Sequence, residues 1–482
     1  DSEIAVHRGT DGRRIFRKRF ELESGIAFPL EARVGKRARR GMIVLTYEGI
    51  QGPIEEWEMS ATAIARTGRA VWRHSWRTRI VQYQGFGVAY ENVPVTIETF
   101  DGLPGRQTDV LLGLAEIVAG PAYSHAHVID GSNGKVSDHP GQEIGLTQIP
   151  FPAAARHQDD DRLDDYIFIN SRPYVRTNEQ APDPVGIGGT LTARRGKDGE
   201  EIWHHYGIEL GDAVWPWSAP DMRGSAHNEF LLSTAFAERD WTKGEDWDTY
   251  LIAGGSGRTY WRRLGTWPYV AGDIDTRPGA DTITRSFAYG DGQVVSRLWA
   301  TGANGKKIWA RNFATRTEEP TGGVGGSWVG TGWVPVGDFQ NDGVVDTEIF
   351  HDMGADPGGR RFVRYTIDGA TGRKLVQGGR ELTPAAAALD GRGSDLLLVE
   401  PGRAGEISVR AKDALGPRTL WDVTLDADLT LDEDTYFPFA TGARFSPDGA
   451  NDVALALGKS FGTDVVFMLD GRNGEVLWRL DV

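Results

Sequence analysis

The segment LDGRNGEVLW (469–478) carries the phrase on which the reading of this chain rests: a turn ending in Gly474, then a large apolar residue, Trp478, four positions later. The phrase recurs as TGRAVW (Gly68 to Trp72), DGEEIW (Gly199 to Trp203), SGRTYW (Gly257 to Trp261) and NGKKIW (Gly305 to Trp309). Weaker copies run from Gly12 to Phe16, from Gly372 to Val376 and, one residue longer, from Gly416 to Trp421. At Gly134 the anchor position holds Asp138. From Phe16 to Trp478 the mean spacing is about 58 residues, and a fixed period of this size signals a repeat architecture.

Upstream of each phrase stand three further short apolar runs. In the copy at 333–376 they are WVPVGDF, TEIF and RFVRYTIDG, with the polar loop NDGVVD between the first two. Four alternating runs separated by turn chemistry read as a four-stranded antiparallel sheet. Eight such units end near residues 77, 140, 208, 267, 314, 379, 425 and 482, the one over 209–267 being irregular. Four-stranded sheets arranged radially make a β-propeller, which protects its strand edges. The expectation is an all-β chain: residues 1–20 form a hairpin, for ring closure or as a leftover half blade. Residues 21–482 form a single propeller domain of eight blades, with seven as the alternative. An open solenoid is the rival, but its coils are much shorter than this period. The tryptophans would sit on outer strands, lodged between blades, as structure rather than chemistry.

Composition narrows the function classes. The 482 residues include 63 Gly, 16 Trp, 13 Tyr and 19 Phe, a mixture suited to short strands and tight turns. A formal charge of −15 argues against general nucleic-acid binding, because phosphate backbones want a basic surface. Cys is absent, which excludes disulfides, thiolate metal sites and Cys nucleophiles. No apolar run is long enough for a membrane-spanning helix. The chain starts at Asp1 without Met, as a processed export would, and the reading leans to an extracellular or periplasmic protein.

The phrase at 469–478 resembles the tryptophan-docking repeat of quinoprotein-type propellers, a group that includes PQQ-dependent dehydrogenases and non-enzymatic relatives. The loop from Asp338 to Asp346 resembles the calcium loop of FG-GAP or VCBS repeats, found in integrin α-chain propellers. That resemblance implies Ca²⁺ held by Asp338, Gln340, Asp342 and Asp346, with the carbonyl of Val344 and with Gly343 at the turn. Calcium does take six to eight oxygen ligands, and alternate residues of a tight loop can aim carboxylates at one point. Asp159, Asp161 and Asp165 make a weaker copy, behind His157 and with Arg162 in place of the Gly. In Asp273, Asp275 and Asp281 the intervening Arg277 is expected to fill the ion's place, and this loop should stay empty. The resemblance to quinoproteins covers the docking scaffold alone, and the absence of Cys disfavours PQQ.

There is no Walker loop, HExxH or G-x-S-x-G. Tyr123, His125 and His127 form the most suggestive cluster, since alternate residues of a strand face one side. Six of the 16 tryptophans fall between Trp215 and Trp267; Trp215, Trp217, Trp241 and Trp247 lie in polar surroundings, where aromatics stack on sugars or anchor a protein partner. RVGKRARR (33–40) places Arg33, Lys36, Arg37, Arg39 and Arg40 together in an acidic protein, a patch suited to an acidic polysaccharide or partner. Two functions follow as expectations. One is a secreted, calcium-stabilised binding module for a glycan or protein, read at Trp215, Trp217, Trp241, Trp247, Arg37, Arg39 and Arg40. The other is a polysaccharide lyase on a uronic-acid glycan, with His125, His127 or Tyr123 removing the C5 proton. A shared cleft for the His pair and the basic patch would favour the lyase.

Overall fold

The computed structural model describes residues 2–481 apart from 23–24, 51–54, 84–86, 118–121, 140–142, 145–150, 171–188, 211–212, 220–221, 224–226, 237–238, 241–242, 244, 276, 278, 291, 317–335, 357–358, 380–381, 388, 390–394, 402–404, 417, 428–434, 444–449 and 460–463. All regular structure in its sheets is β, in 35 strands among the described residues. A hairpin opens the chain, β1 (Ser2–His7) with β2 (Arg14–Phe20). A nine-stranded antiparallel sheet follows: β3 (Gly25–Val34), β4 (Arg39–Ile50), β5 (Glu55–Ala65), β6 (Ala70–Tyr83), β7 (Gly87–Phe100), β8 (Asp109–Ile117), β9 (Ala122–Ile129) and β10 (Val136–His139) pair in sequence order, and β11 (Glu143–Ile144) pairs β9.

Six four-stranded antiparallel sheets complete the chain, each with its strands in sequence order. They are β12–β15 (Phe151–Ala155, Asp165–Asn170, Gly189–Arg194, Glu201–Ile208) and β16–β19 (Ala213–Ser218, Phe230–Ala235, Trp247–Ile252, Thr259–Leu264). Next come β20–β23 (Trp267–Gly272, Asp281–Gly290, Gln293–Thr301, Lys307–Arg316) and β24–β27 (Val336–Gly337, Asp346–Asp356, Gly359–Ile367, Lys374–Gly379). The last are β28–β31 (Leu382–Ala387, Asp395–Pro401, Glu406–Asp413, Thr419–Asp426) and β32–β35 (Thr435–Ala443, Asp452–Lys459, Val465–Leu469, Val476–Asp481).

Six of the eight expected units are thus separate four-stranded sheets, including the irregular 209–267. The first two are not separate. β6 and β7 each run 14 residues and pair from Arg79↔Glu91 to Tyr83↔Gly87, so hydrogen bonds join the two units. The sequence explains this: from Trp72 to Phe100 β-formers continue with only Gln84, Gly85 and Phe86 between the strands. The two halves still pack as layers, because Val34, Ile43, Ala63 and Trp72 of one share a core with Val110 and Ile129 of the other.

By compactness the chain divides into two units. The first holds Asp1–His7, Arg14–Glu238 and Asp248–Arg263; the second holds Arg8–Arg13, Arg239–Trp247 and Leu264–Val482. Within each, successive sheets bury their faces against one another. In the first unit Tyr166 and Phe168 pack on Phe100 and Val128, and Leu191 and Trp203 pack with Leu232 and Tyr250. In the second, Ile283 and Trp309 pack with Ile349 and Ile367, and Val409 and Trp421 with Leu455 and Phe467.

The recurring phrase organises this packing, but across sheets. Five tryptophan anchors leave their own turn and dock on the turn of the next copy; Trp261 is not among them, and its buried indole Nε1 has no hydrogen-bond partner among the described residues. The indole Nε1 of Trp72 donates to the Gly131 carbonyl (2.9 Å), Trp309 to Gly369 (2.6 Å), Trp421 to Gly471 (2.6 Å) and Trp478 to Gly9 (2.6 Å), and Trp203 donates likewise to Gly254. The acceptor always stands three residues before the phrase glycine. That glycine has positive φ and lies flat against the indole: at Gly372 (φ +68°) a Cβ would fall 2.6 Å from the Trp309 ring. Any side chain there would both strain the backbone and displace the indole. Phe16 packs on Gly68 in the same way.

One anchor differs from expectation. At Gly199 the ring against the turn belongs to His139 and not to Asp138, whose carboxylate instead faces His127 across the strand pair. His139 is buried, stacks on Tyr166 and shares a 3.0 Å hydrogen bond between Nδ1 and the Tyr166 hydroxyl. The copy is one residue long, as at Trp421.

Candidate functional site

The turns that hold the phrases also shape a recess of the first unit. It has a volume of about 1470 Å³ and is formed where three turns meet. Lys36 and Arg37 come from the turn after β3, with Arg39 and Arg40 at the start of β4. Arg66 and Arg69 come from the turn between β5 and β6, and Ser132 and Asn133 from the turn between β9 and β10. Ile15, Val34, Ala65 and Val71 supply an aliphatic wall.

Hydrogen bonds fix these turns to one another. The Gly35 amide donates to the Gly131 carbonyl (3.1 Å), and Gln107 Nε2 donates to the Gly35 carbonyl (3.3 Å). The Thr108 amide donates to the Arg33 carbonyl (2.9 Å), and the Arg33 amide donates to the Thr108 hydroxyl (3.1 Å). Beneath lies Asp109, buried, whose Oδ1 accepts from the Gly131 amide (2.9 Å) and whose Oδ2 accepts from the Leu103 amide (2.8 Å). Burial pushes the Asp109 carboxyl up to about 7. Gly131 therefore links three parts: Asp109 on its N–H, and Trp72 with Gly35 on its carbonyl.

Among the described residues no acidic side chain lines the recess. Its six cations, Lys36, Arg37, Arg39, Arg40, Arg66 and Arg69, are exposed, and among the described residues none of them forms a salt bridge. Six like charges around one hollow repel each other, by about 1 kcal/mol per close pair in water, and an anion entering the hollow relieves that repulsion. The chain as a whole carries −15, so this concentration runs against its overall charge. Arg37, Arg39 and Arg40 were legible in the sequence as a basic run. Arg66 and Arg69 were not, because they flank the glycine of TGRAVW, a phrase read as structural. Only the packing of adjacent turns brings them to the same hollow.

The histidines lie elsewhere. His125 and His127 stand on one face of β9, opposite Leu114 and Leu112 of β8. His127 Nε2 is 3.3 Å from Asp138 Oδ1, its Nδ1 is buried without a hydrogen-bond partner, and burial holds its pKa below the usual histidine range. Tyr123 is in β9 opposite Glu116, and its side chain lies outside the described residues. The recess lining includes neither histidine.

Among the tryptophans, Trp241 and the side chains of Trp215 and Trp217 lie outside the described residues; β16 places Trp215 opposite Ser233 and Trp217 opposite Leu231. Trp247 packs edge-on against buried Trp267 with ring centroids 5.6 Å apart, an interior use of that indole.

The acidic loops show a second regularity. Their ninth residue is a buried Asp: Asp165, Asp281, Asp346, Asp395 and Asp452 head the second strands of five of the four-stranded sheets, and Asp109 heads β8 of the nine-stranded sheet. Asp346 Oδ2 accepts from the Phe339 (2.9 Å) and Gln340 (3.3 Å) amides, while Oδ1 accepts from Gly369 (2.8 Å), the residue that receives Trp309. Asp165 bonds Gln158 and Gly196 in the same way, and burial pushes it up to about 7.

This regularity bears on the expected calcium loop. At 338–346, Asp338 accepts from the Asp342 and Gly343 amides, Asp342 accepts from Val344, and Asp346 serves the latch just described. The carboxylates of Asp338, Asp342 and Asp346 thus have backbone partners, and they are not among the acidic groups that draw close together. Among the described residues, three carboxylates approach within 4.8 Å of one another in two places: Asp159, Asp161 and Asp165, and Asp273, Asp275 and Asp281. These acidic groups can hold a metal ion. Around the first, Arg195 Nε lies 2.8 Å from Asp159 and Lys197 Nζ 3.4 Å from Asp161, so protein cations already neutralise it. At the second, Arg277 does not fill the centre. Its side chain is 78% exposed and touches Asp275 at 3.4 Å.

No protein-family model matches the chain, and no curated protein is similar to it in sequence. Among solved structures, the quinohemoprotein alcohol dehydrogenase ADHIIG of Pseudomonas putida HK5 is similar at 10% identity and a TM-score of 0.34, over 94% of this chain and 67% of that one. Synechocystis apocarotenoid oxygenase matches at 9% identity and TM-score 0.33, over 65% of this chain and 70% of that one. Drosophila Plexin A, solved with Semaphorin 1b, matches at 6% identity and TM-score 0.32, over 91% and 86%. Likeness at this level carries no inference about activity. No helix among the described residues is long and apolar enough to cross a membrane.

Proposed function

We propose that this protein is a secreted β-propeller of eight blades, closed by its N-terminal hairpin, that works as a binding module for an anionic glycan or protein partner. The observation that carries the reading is the recess lined by Lys36, Arg37, Arg39, Arg40, Arg66 and Arg69 with no carboxylate among them. Cations left unpaired in an acidic protein lower stability by mutual repulsion, and a ligand that neutralises them accounts for their placement. The lyase alternative has less support, since the candidate bases His125 and His127 do not line the basic hollow. Calcium, suggested by the FG-GAP resemblance, fits Asp273, Asp275 and Asp281 better than the 338–346 loop. There it would draw three carboxylates together in place of their mutual repulsion.

The test is a titration of the protein with polyanions of several backbones, alongside Arg37→Glu/Arg40→Glu, with melting curves as the folding control. Binding to at least one polyanion, lost in the charge-reversed variant, is expected; equal binding by both proteins, or none by either, refutes the recess as the site. Unsaturated uronate formed during the titration would shift the reading to the lyase.

A further inference from the structure

We infer that the recess takes an internal segment of an acidic polysaccharide, with sulfate or carboxylate oxyanions on successive sugars held by its arginines; this rests on the reading of the recess as a polyanion site.

Four features of the lining point to that class. Five of the six cations are Arg, and a guanidinium fork bonds planar or tetrahedral oxyanions through two parallel N–H groups, where an ammonium acts as a point charge. The volume of about 1470 Å³ exceeds the roughly 300–1,000 Å³ typical of a compact small-molecule site, so the hollow is sized for a stretch of chain. The cations come from two neighbouring turns, 36–40 and 66–69, so they meet charges spaced along a ligand and not one multivalent group.

The fourth feature is the chemistry of the rest of the lining. Among the described residues the lining contains no aromatic side chain. Single-stranded nucleic acids are held by bases stacked on aromatic rings. Protein partners are held by anchors in desolvated pockets, whereas these arginines are exposed. The lining offers instead an aliphatic wall of Ile15, Val34, Ala65 and Val71 for the C–H faces of sugar rings, and the hydroxyls of Thr67 and Ser132 for ring hydroxyls. The remaining negative charge of the chain repels long polyanions beyond the hollow, which favours a ligand whose charges are spaced by neutral sugar atoms.

The experiment uses size-graded oligosaccharides in two series, one sulfated and one of uronic acids, with neutral dextran oligomers, oligo(dT) and poly-glutamate as competitors, read by isothermal titration at fixed salt. Affinity should rise with chain length and level off once the hollow is filled. Neutral oligomers should not bind, and oligo(dT) and poly-glutamate should bind at least about tenfold more weakly. The two series identify which oxyanion is preferred. Arg66→Ala/Arg69→Ala should weaken glycan binding about tenfold or more without lowering the melting temperature, since both side chains are exposed and their loss relieves repulsion. Equal or tighter binding of oligo(dT) or poly-glutamate overturns the glycan class while leaving a polyanion site. Glycan binding that ignores Arg66 and Arg69 places the ligand elsewhere and overturns the inference. Failure of every polyanion overturns the binding-module reading as well.

Discussion

Replacing Trp309 by Ala tests the docking mechanism that orders the sheets. Trp309 is 5% exposed and lies in a core with Ile283, Leu298, Ile349 and Ile367. Truncating a buried aromatic to Ala costs about 3–5 kcal/mol in lost transfer energy and cavity. The variant also leaves the Gly369 carbonyl without its 2.6 Å indole donor, and a buried acceptor without a partner costs about 1–3 kcal/mol more. The expected loss for Trp309→Ala is therefore about 4–8 kcal/mol. Trp309→Phe keeps most of the ring area but not the hydrogen bond, and should lose about 1–3 kcal/mol. A chain with two compact units need not unfold in one step, so the loss is best read by native-state hydrogen exchange on amides of β22, β23, β25 and β26. Those amides should lose protection while β13 and β14 in the first unit keep theirs. A loss below about 1 kcal/mol for the Ala variant, or a Phe variant as costly as Ala, would refute the argument that the indole clamps the next turn.

Two further outcomes follow from the acidic positions. Asp109 and Asp165, each held near 7 by burial against an ordinary 3.8, keep their protons in the folded chain over a range in which the unfolded chain has lost them. Their stabilising contribution is complete below about pH 4 and disappears as pH rises to about 7, by up to ~4 kcal/mol each. Melting of the first unit should weaken across that window, and Asp109→Asn with Asp165→Asn should flatten the slope; an unchanged slope counts against it. Millimolar calcium should raise the melting temperature with the logarithm of its free concentration, and Asp275→Asn should remove the response where Asp342→Asn leaves it. Indifference of the wild type to both calcium and EDTA would dismiss the ion.

What the sequence determined by itself was the period and its local chemistry. A glycine at positive φ followed by an apolar anchor is a short-range pattern, so the strands, the turns and the burial of Trp72, Trp203, Trp309 and Trp421 were all legible. The basic run 33–40 was legible for the same reason, being contiguous. Contacts between copies were not. That Trp72, Trp203, Trp309, Trp421 and Trp478 serve the following turn, that His139 takes the place expected of Asp138, and that the first two units share one sheet through β6 and β7 depend on pairings between distant segments. The acidic loops make the point most sharply. Their spacing suits a cation, yet at 338–346 the carboxylates also accept from backbone amides, bonds that the sequence pattern does not show. In the same way, Arg66 and Arg69 are ordinary turn residues in the sequence, and they become part of a site only because hydrogen bonds through Gly35 and Gly131 hold three separate turns around one hollow.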